Sequence, residues 1–121
     1  MLRIGLISDT HGLLRPEALN ALRGSNHVIH AGDIGNESIL QALARIAPVS
    51  AVRGNNDTAE WARELPESSR LQFEGASLFV IHDIKALSIS PQAEGIGVVV
   101  SGHSHRPKAE IRNGVLFINP G

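Results

Sequence analysis

Four times in this chain a short apolar run is stopped at once by a cluster of glycine, aspartate, asparagine or histidine. That repeated punctuation is the strongest limit on how the chain can fold. Leu2 to Ser8 runs into Asp9-Thr10-His11, His27 to Ala31 into Gly32-Asp33, Val49 to Val52 into Gly54-Asn55-Asn56-Asp57, and Gly97 to Ser101 into Gly102-His103-Ser104-His105. Apolar runs of this length, rich in β-branched residues and bounded by turn formers, read as buried strands. Helical patterns separate the first three. Pro16 can open a helix whose Ala and Leu spacing continues from Glu17 to Arg23 before Gly24. Asn36 can cap a second through Ile46, with Ile39, Leu40, Leu43 and Ile46 on one face, and Pro48 closes it. Strand, helix, strand, helix, strand with short links is the signature of a parallel sheet with crossover helices.

The pattern then changes. Glu60 to Glu64 reads as a single helical turn before Pro66. Arg70 to Glu74 and Ser77 to His82 flank Gly75-Ala76 and predict a hairpin. A helix is expected over part of Ile84 to Glu94, with Pro91 interrupting the pattern. Val98, Val99 and Val100 form the centre of a buried strand. Glu110 to Arg112 and Val115 to Ile118, joined by Asn113-Gly114, predict a second hairpin with a type I′ turn. Parallel units followed by antiparallel hairpins predict an α/β fold of two sheets packed face to face, with helices outside.

With 121 residues, 42% of them apolar, the chain is sized for one domain with its own core, spanning 1–121. The formal net charge of −1 gives no extended nucleic-acid surface and no attraction to acidic membranes. Cysteine is absent, so disulfides and thiolate metal sites are excluded. No apolar stretch approaches the roughly 20 residues of a membrane span, and the N-terminal residues lack a signal peptide's apolar region. A cytoplasmic location is the expectation.

Histidine is enriched where bulky aromatics are scarce: six His against three Phe, one Trp and no Tyr. Four of the six fall at expected strand ends. Asp9 and His11, at i and i+2 in extended chain, point the same way and can close on one ion. Neighbouring parallel strands end at the same sheet edge, so Asp33 can sit beside Asp9 across 24 positions and bridge two cations. Asn55 offers a neutral amide oxygen, His82 ends a hairpin strand, and His103 and His105 repeat the i and i+2 spacing. Gly32, Gly54 and Gly102, each just before a cluster, suit positive φ or close approach of the backbone. Carboxylate, amide and imidazole without sulfur suit Mn²⁺, Fe²⁺, Zn²⁺, Co²⁺ or Ni²⁺ rather than Mg²⁺ or Ca²⁺ alone. Two such ions against two aspartates leave a charge of about +2, suited to an anion, and two-metal centres hydrolyse phosphate esters.

Taken in order, D-x-H, G-D, G-N-x-[DE], an isolated His and G-H-x-H resemble the calcineurin-like metallophosphoesterase family. The chain is similar in size to its small YfcE/MJ0936/Vps29-like phosphodiesterase branch. The resemblance covers roughly residues 2 to 120. It implies a four-layer αββα fold, with one metal on Asp9, His11, Asp33 and His105 and the other on Asp33, Asn55, His82 and His103. Manganese is the leading candidate for the two divalent ions. Asp33, Asn55 and His103 are the residues expected to serve catalysis directly. The expected reaction is in-line attack on a small phosphodiester by a hydroxide bridging the ions. The Vps29 likeness implies an alternative, a protein-interaction scaffold with little or no catalysis.

Three departures from the family pattern carry expectations. Asn56 stands where many relatives place a histidine thought to protonate the leaving group, and an amide cannot do this; esters with good leaving groups should react best. Asp83 follows His82 where many relatives have Gly-His. The sequence stops at Asn119-Pro120-Gly121 where relatives continue, so a C-terminal segment is expected to be missing. Among the remaining residues, His30 reads as a packed or supporting group rather than a ligand. Asp57 either orients a ligand histidine or caps the turn after Ala59. Arg53 and Arg106 either hold phosphate or are solvated, and Trp61 reads as hydrophobic cover.

Overall fold

The computed structural model describes residues 2–121; Met1 lies outside the described residues. The first half is the expected alternation: β1 (Ile4–Ile7), α1 (Pro16–Leu22), β2 (His27–His30), α2 (Glu37–Ala44) and β3 (Val49–Ala51). The strands form a parallel sheet ordered β1-β2-β3, with Ile7 opposite His30 and His30 opposite Ala51. This register brings the three C-terminal ends to one edge. Pro16 starts α1 without a side-chain cap, its fixed φ being already helical. Asn36 caps α2 by accepting the Ser38 N–H at 2.9 Å. That helix ends at Ala44, two residues before Ile46, because the Arg45 and Ile46 N–H groups tighten onto the Ala42 and Leu43 carbonyls.

The second half builds a five-stranded sheet from β4 (Ser68–Phe73), β5 (Ala76–Ile81), β6 (Val98–Val100), β7 (Lys108–Arg112) and β8 (Val115–Asn119). Its order is β4-β5-β6-β8-β7, with parallel pairing at the centre and an antiparallel hairpin at each edge. Asn113 and Gly114 both take positive φ, 52° and 78°, as a type I′ turn requires.

The helix expected between Ile84 and Glu94 is not formed. One 3-10 turn covers Ile84–Ala86, capped by the Asp83 carboxylate on the Lys85 N–H at 3.0 Å. Ser88, Ser90 and Pro91 then follow, residues that favour turns or cannot extend a helical ladder, and Gly95 leaves the segment at φ 74°.

Side chains alternate across each strand and so define the layers. Val28 faces the helices with Ile7, Leu22, Ile39 and Leu43. Its neighbour Ile29 faces the other sheet and packs with Leu78, Val80 and Val100. On the far side of the larger sheet, Phe79, Ile81 and Val99 meet Ile84, Ile89 and Ile96. The predicted two-sheet architecture flanked by helices is thus present, and its outer layer over the larger sheet is the short 3-10 turn with irregular chain. No helix among the described residues is long and apolar enough to cross a membrane.

Candidate metal centre

Every cluster singled out in the sequence lies at the C-terminal end of β1, β2, β3, β5 or β6, and backbone bonds tie these ends together. The Asp9 N–H donates to the Gly32 carbonyl, the His11 N–H to that of Asp33, and the Gly102 N–H to that of His82, each at 2.9 Å. The His103 N–H crosses to the Asp9 carboxylate at 3.0 Å. The loops are strained. Asp9, His11, Asp33, His103 and His105 all have φ between 46° and 71°, and the only other described non-glycine residue with positive φ is Asn113 of the type I′ turn. Such backbone costs about 1–3 kcal/mol per residue and persists where the surroundings over-determine it. The glycines divide between the two expected roles. Gly32 takes φ 101°, but at Gly54 and Gly102 the need is space: a Cβ would strike Asp33 at the first and, at 2.6 Å, the Asp9 carboxylate at the second. The left-handed turns fall mainly on the polar residues themselves.

The side chains converge on two groups, Asp9 with His11 and His105, and Asp33 with His82 and His103. Within each, one donor atom per residue lies within 4.8 Å of the others. Asp33 Oδ2 faces both groups, 3.8 Å from His11 Nε2 and 3.3 Å from His82 Nε2. Asp9 Oδ1 lies 3.5 Å from His105 Nε2 and 3.9 Å from His11 Nε2. Asn55 sits just past Gly54, exposed, and lines an open cavity together with His82 and His103. All seven residues expected to ligate therefore lie around one end of the sheets.

His82 tests whether these donors suit a cation. Its Nδ1 lies 2.7 Å from the Ala31 carbonyl, which can only accept, so Nδ1 carries the proton. For the neutral ring this leaves a lone pair on Nε2. That atom is buried, has no hydrogen-bond partner, and faces a carboxylate oxygen 3.3 Å away. Two electron-rich atoms facing each other out of water are repulsive unless a positive charge stands between them. The fixed tautomer, the orphaned nitrogen and the mixed imidazole–carboxylate set fit a divalent transition ion.

The supporting groups are more specific than the sequence indicated. His30 is wholly buried and not a ligand. The Thr10 hydroxyl donates to the Ile34 carbonyl at 2.9 Å, so His30 Nε2–H donates to Thr10 at 3.0 Å, while its Nδ1 accepts the Gly32 N–H at 3.1 Å. One neutral imidazole thereby joins the Asp9–His11 loop to the Asp33 loop, and burial lowers its pKa from 6.5 to about 4. Asp57 neither orients a ligand histidine nor caps a turn after Ala59. Its buried carboxylate accepts the N–H groups of Ile34, Gly35 and Gly54, pinning the loops on either side of the site. Asn56 clamps Asp33, its backbone N–H on Oδ1 at 2.9 Å and its amide on Oδ2 at 3.0 Å. Thr10 and this clamp were missed in the sequence. A hydroxyl between two ligands was the only signal for the first. Arg53 lines the cavity paired with Glu67 at 2.9 Å, Arg106 is exposed, and Trp61 packs as cover on the helix-side core.

Two adjacent three-donor groups at the shared edge of two sheets suit a metal-dependent phosphoric-ester hydrolase. Comparison with known proteins agrees: the chain belongs to the calcineurin-like phosphoesterase superfamily, whose domain matches residues 2–121. A probable metallophosphoesterase of Methanothermobacter thermautotrophicus is 35% identical, over 98% of this chain and 75% of its own length. The phosphodiesterase YfcE of Escherichia coli is 31% identical, over 100% of this chain and 79% of its own. Among solved structures, vacuolar protein sorting 29 of Cryptosporidium parvum superposes with a TM-score of 0.83 at 22% identity, covering 98% of this chain and 72% of that one. That last likeness is one of fold.

Proposed function

We propose that the chain is a phosphodiesterase working through a two-ion centre. Asp9, His11, Asp33 and His105 would hold one ion and Asp33, Asn55, His82 and His103 the other, with Asp33 shared. Two divalent cations held there, Mn²⁺ first among the candidates, would supply positive charge toward a bound phosphate and would make a hydroxide nucleophile available near neutral pH. The chain's own residues set the geometry. Asn56 fixes both oxygens of the shared carboxylate. The Ala31 carbonyl fixes the His82 tautomer. The Asp9 carboxylate, by accepting the His103 N–H, holds the histidine loop against β1. Asn56 cannot give a proton to a leaving alkoxide, so esters of acidic alcohols and phenols suit the site best.

The observation that carries this reading is the buried, unpartnered His82 Nε2 facing Asp33. YfcE, named a phosphodiesterase, supports the same substrate class. The fold likeness to Vps29 supports the alternative of a protein-interaction scaffold. One assay separates them. Mn²⁺-loaded protein should hydrolyse bis(p-nitrophenyl) phosphate, and His105→Ala should lose turnover and bound metal together. Failure of the fully loaded protein to hydrolyse the ester favours the scaffold.

A further inference from the structure

We infer that the cavity beside His82 and His103 receives one arm of the phosphodiester, and that it selects esters in which this arm is a flat, nucleoside-sized group with a polar edge. The inference rests on the phosphodiesterase reading and adds a substrate class to it.

The cavity measures about 840 Å³. Pockets that enclose drug-sized ligands run from about 300 to 1,000 Å³, so a phosphate with two small alkyl arms would leave most of this space to water. Asn55, His82 and His103 line it, so an ester arm of a phosphate held at the second ion group can enter it directly. Its walls differ in chemistry. Phe79 and Ile81 supply an apolar face. The pleat of β5 forces this, because Leu78 and Val80 between them turn into the core between the sheets. A half-buried phenyl ring is a surface on which a planar ring can lie. Arg63 and Thr58 stand among the polar lining with Ser68 and Ser88.

Two arginines line the cavity, and they are not equivalent. Arg53 is held by Glu67 at 2.9 Å. Arg63 has no carboxylate within ion-pair distance among the described residues, so its guanidinium is free to meet carbonyl or anionic groups on an incoming ligand. No side-chain hydrogen bond engages the hydroxyls of Thr58, Ser68 or Ser88 among the described residues. An apolar wall, a free guanidinium and uncommitted hydroxyls match an arm with a flat ring face and a polar rim.

The test uses two diesters that release the same p-nitrophenolate: thymidine 5′-(p-nitrophenyl phosphate) and methyl p-nitrophenyl phosphate. On Mn²⁺-loaded protein the nucleoside ester should have the higher kcat/KM. Arg63→Ala and Phe79→Ala should each cut the ratio of the two values about tenfold, mainly through KM. Calorimetric titration with thymidine 5′-monophosphate gives a readout independent of turnover, and Arg63→Ala should weaken that binding about tenfold. Arg63 is exposed, so its variant is expected to fold even if Phe79→Ala disturbs the outer core. Hydrolysis of both esters with a ratio unmoved by Arg63→Ala, and nucleotide binding equally unmoved, overturns the cavity assignment and leaves the phosphodiesterase intact. Nucleotide binding that depends on Arg63, with no turnover of either ester, supports the cavity and removes the phosphodiesterase.

Discussion

His82 and His105 are both expected ligands, yet they stand in opposite circumstances. The His82 side chain is 6% exposed, its ring held by the Ala31 carbonyl, and it faces Asp33, whose two oxygens are held by Asn56. The His105 side chain is 55% exposed. It stacks on His11 with ring centroids 5.1 Å apart and Nε2 atoms 3.3 Å apart. Among the described residues no backbone group orients either of those rings. The Asp33 group thus has one histidine already set, His82, beside the 46% exposed His103, whereas both histidines of the Asp9 group are exposed, at 40% and 55%, and would depend on an ion to order them. Ordering exposed side chains costs conformational entropy, so the Asp33–His82–His103 half should bind its ion more tightly.

The most severe way to break this picture is to remove the shared carboxylate. Asp33→Ala should release both ions and lower turnover about a thousandfold or more, beyond the roughly 10–100-fold typical of groups that only support a ligand. Metal analysis by mass spectrometry with bis(p-nitrophenyl) phosphate kinetics reads both effects. One full equivalent of metal retained with measurable turnover would mean that the halves are independent.

Protonation probes the scaffold under both halves. His30 keeps its pKa at about 4 in the folded chain against 6.5 in the unfolded one. Between those values the unfolded chain takes up a proton that the native state refuses, so stability is full above pH 6.5 and falls as the pH drops toward 4. At about 1.4 kcal/mol per pH unit the loss approaches 3 kcal/mol. Urea unfolding with chelator present, from pH 7 to pH 4.5, measures it, and the His30 ring resonances should not titrate near 6.5. A midpoint there would show that His30 is not the neutral link between the ligand loops. Turnover should weaken in the same direction, because ligand histidines must be neutral to bind metal.

Most of this centre was legible because its chemistry is carried by residue type at strand ends. Asp9 with His11 and His103 with His105 stood out by their i and i+2 spacing, Asp33 and His82 by their place at strand ends and by the family resemblance, and parallel pairing brings all six to one edge. What was not legible depended on pairings across long separations. Nothing local says that Asp57 will take N–H groups from Ile34 and Gly35 more than 20 residues away, or that Asn56 will close on Asp33 instead of facing substrate. The sequence also overstated the segment Ile84 to Glu94. Its apolar residues are spaced to cover a sheet, and that task needs only one 3-10 turn and a loop.

The histidine contrast itself can be measured without any metal. His82→Ala leaves the Ala31 carbonyl unpaired and a void in a buried site, a loss of about 2 kcal/mol. His105→Ala removes a half-exposed ring and should change stability by less than about 0.5 kcal/mol. Urea unfolding of the two variants in chelator gives the difference. Equal losses would mean that the two rings are equally embedded, and the asymmetry would fail.

The finest distinction concerns Asn56. Asn56→Ala removes the amide bond to Asp33 Oδ2 but keeps the backbone bond to Oδ1, so metal affinity should fall only about tenfold. If the side chain acts through Asp33 alone, activity on aryl and alkyl diesters should fall together, and excess Mn²⁺ should restore both. If it touches the departing oxygen, the alkyl ester should suffer more, and saturating metal should not recover it. The aryl-to-alkyl ratio at saturating Mn²⁺ decides between the two, because a clamp on a ligand affects every substrate alike and a contact with the leaving group cannot.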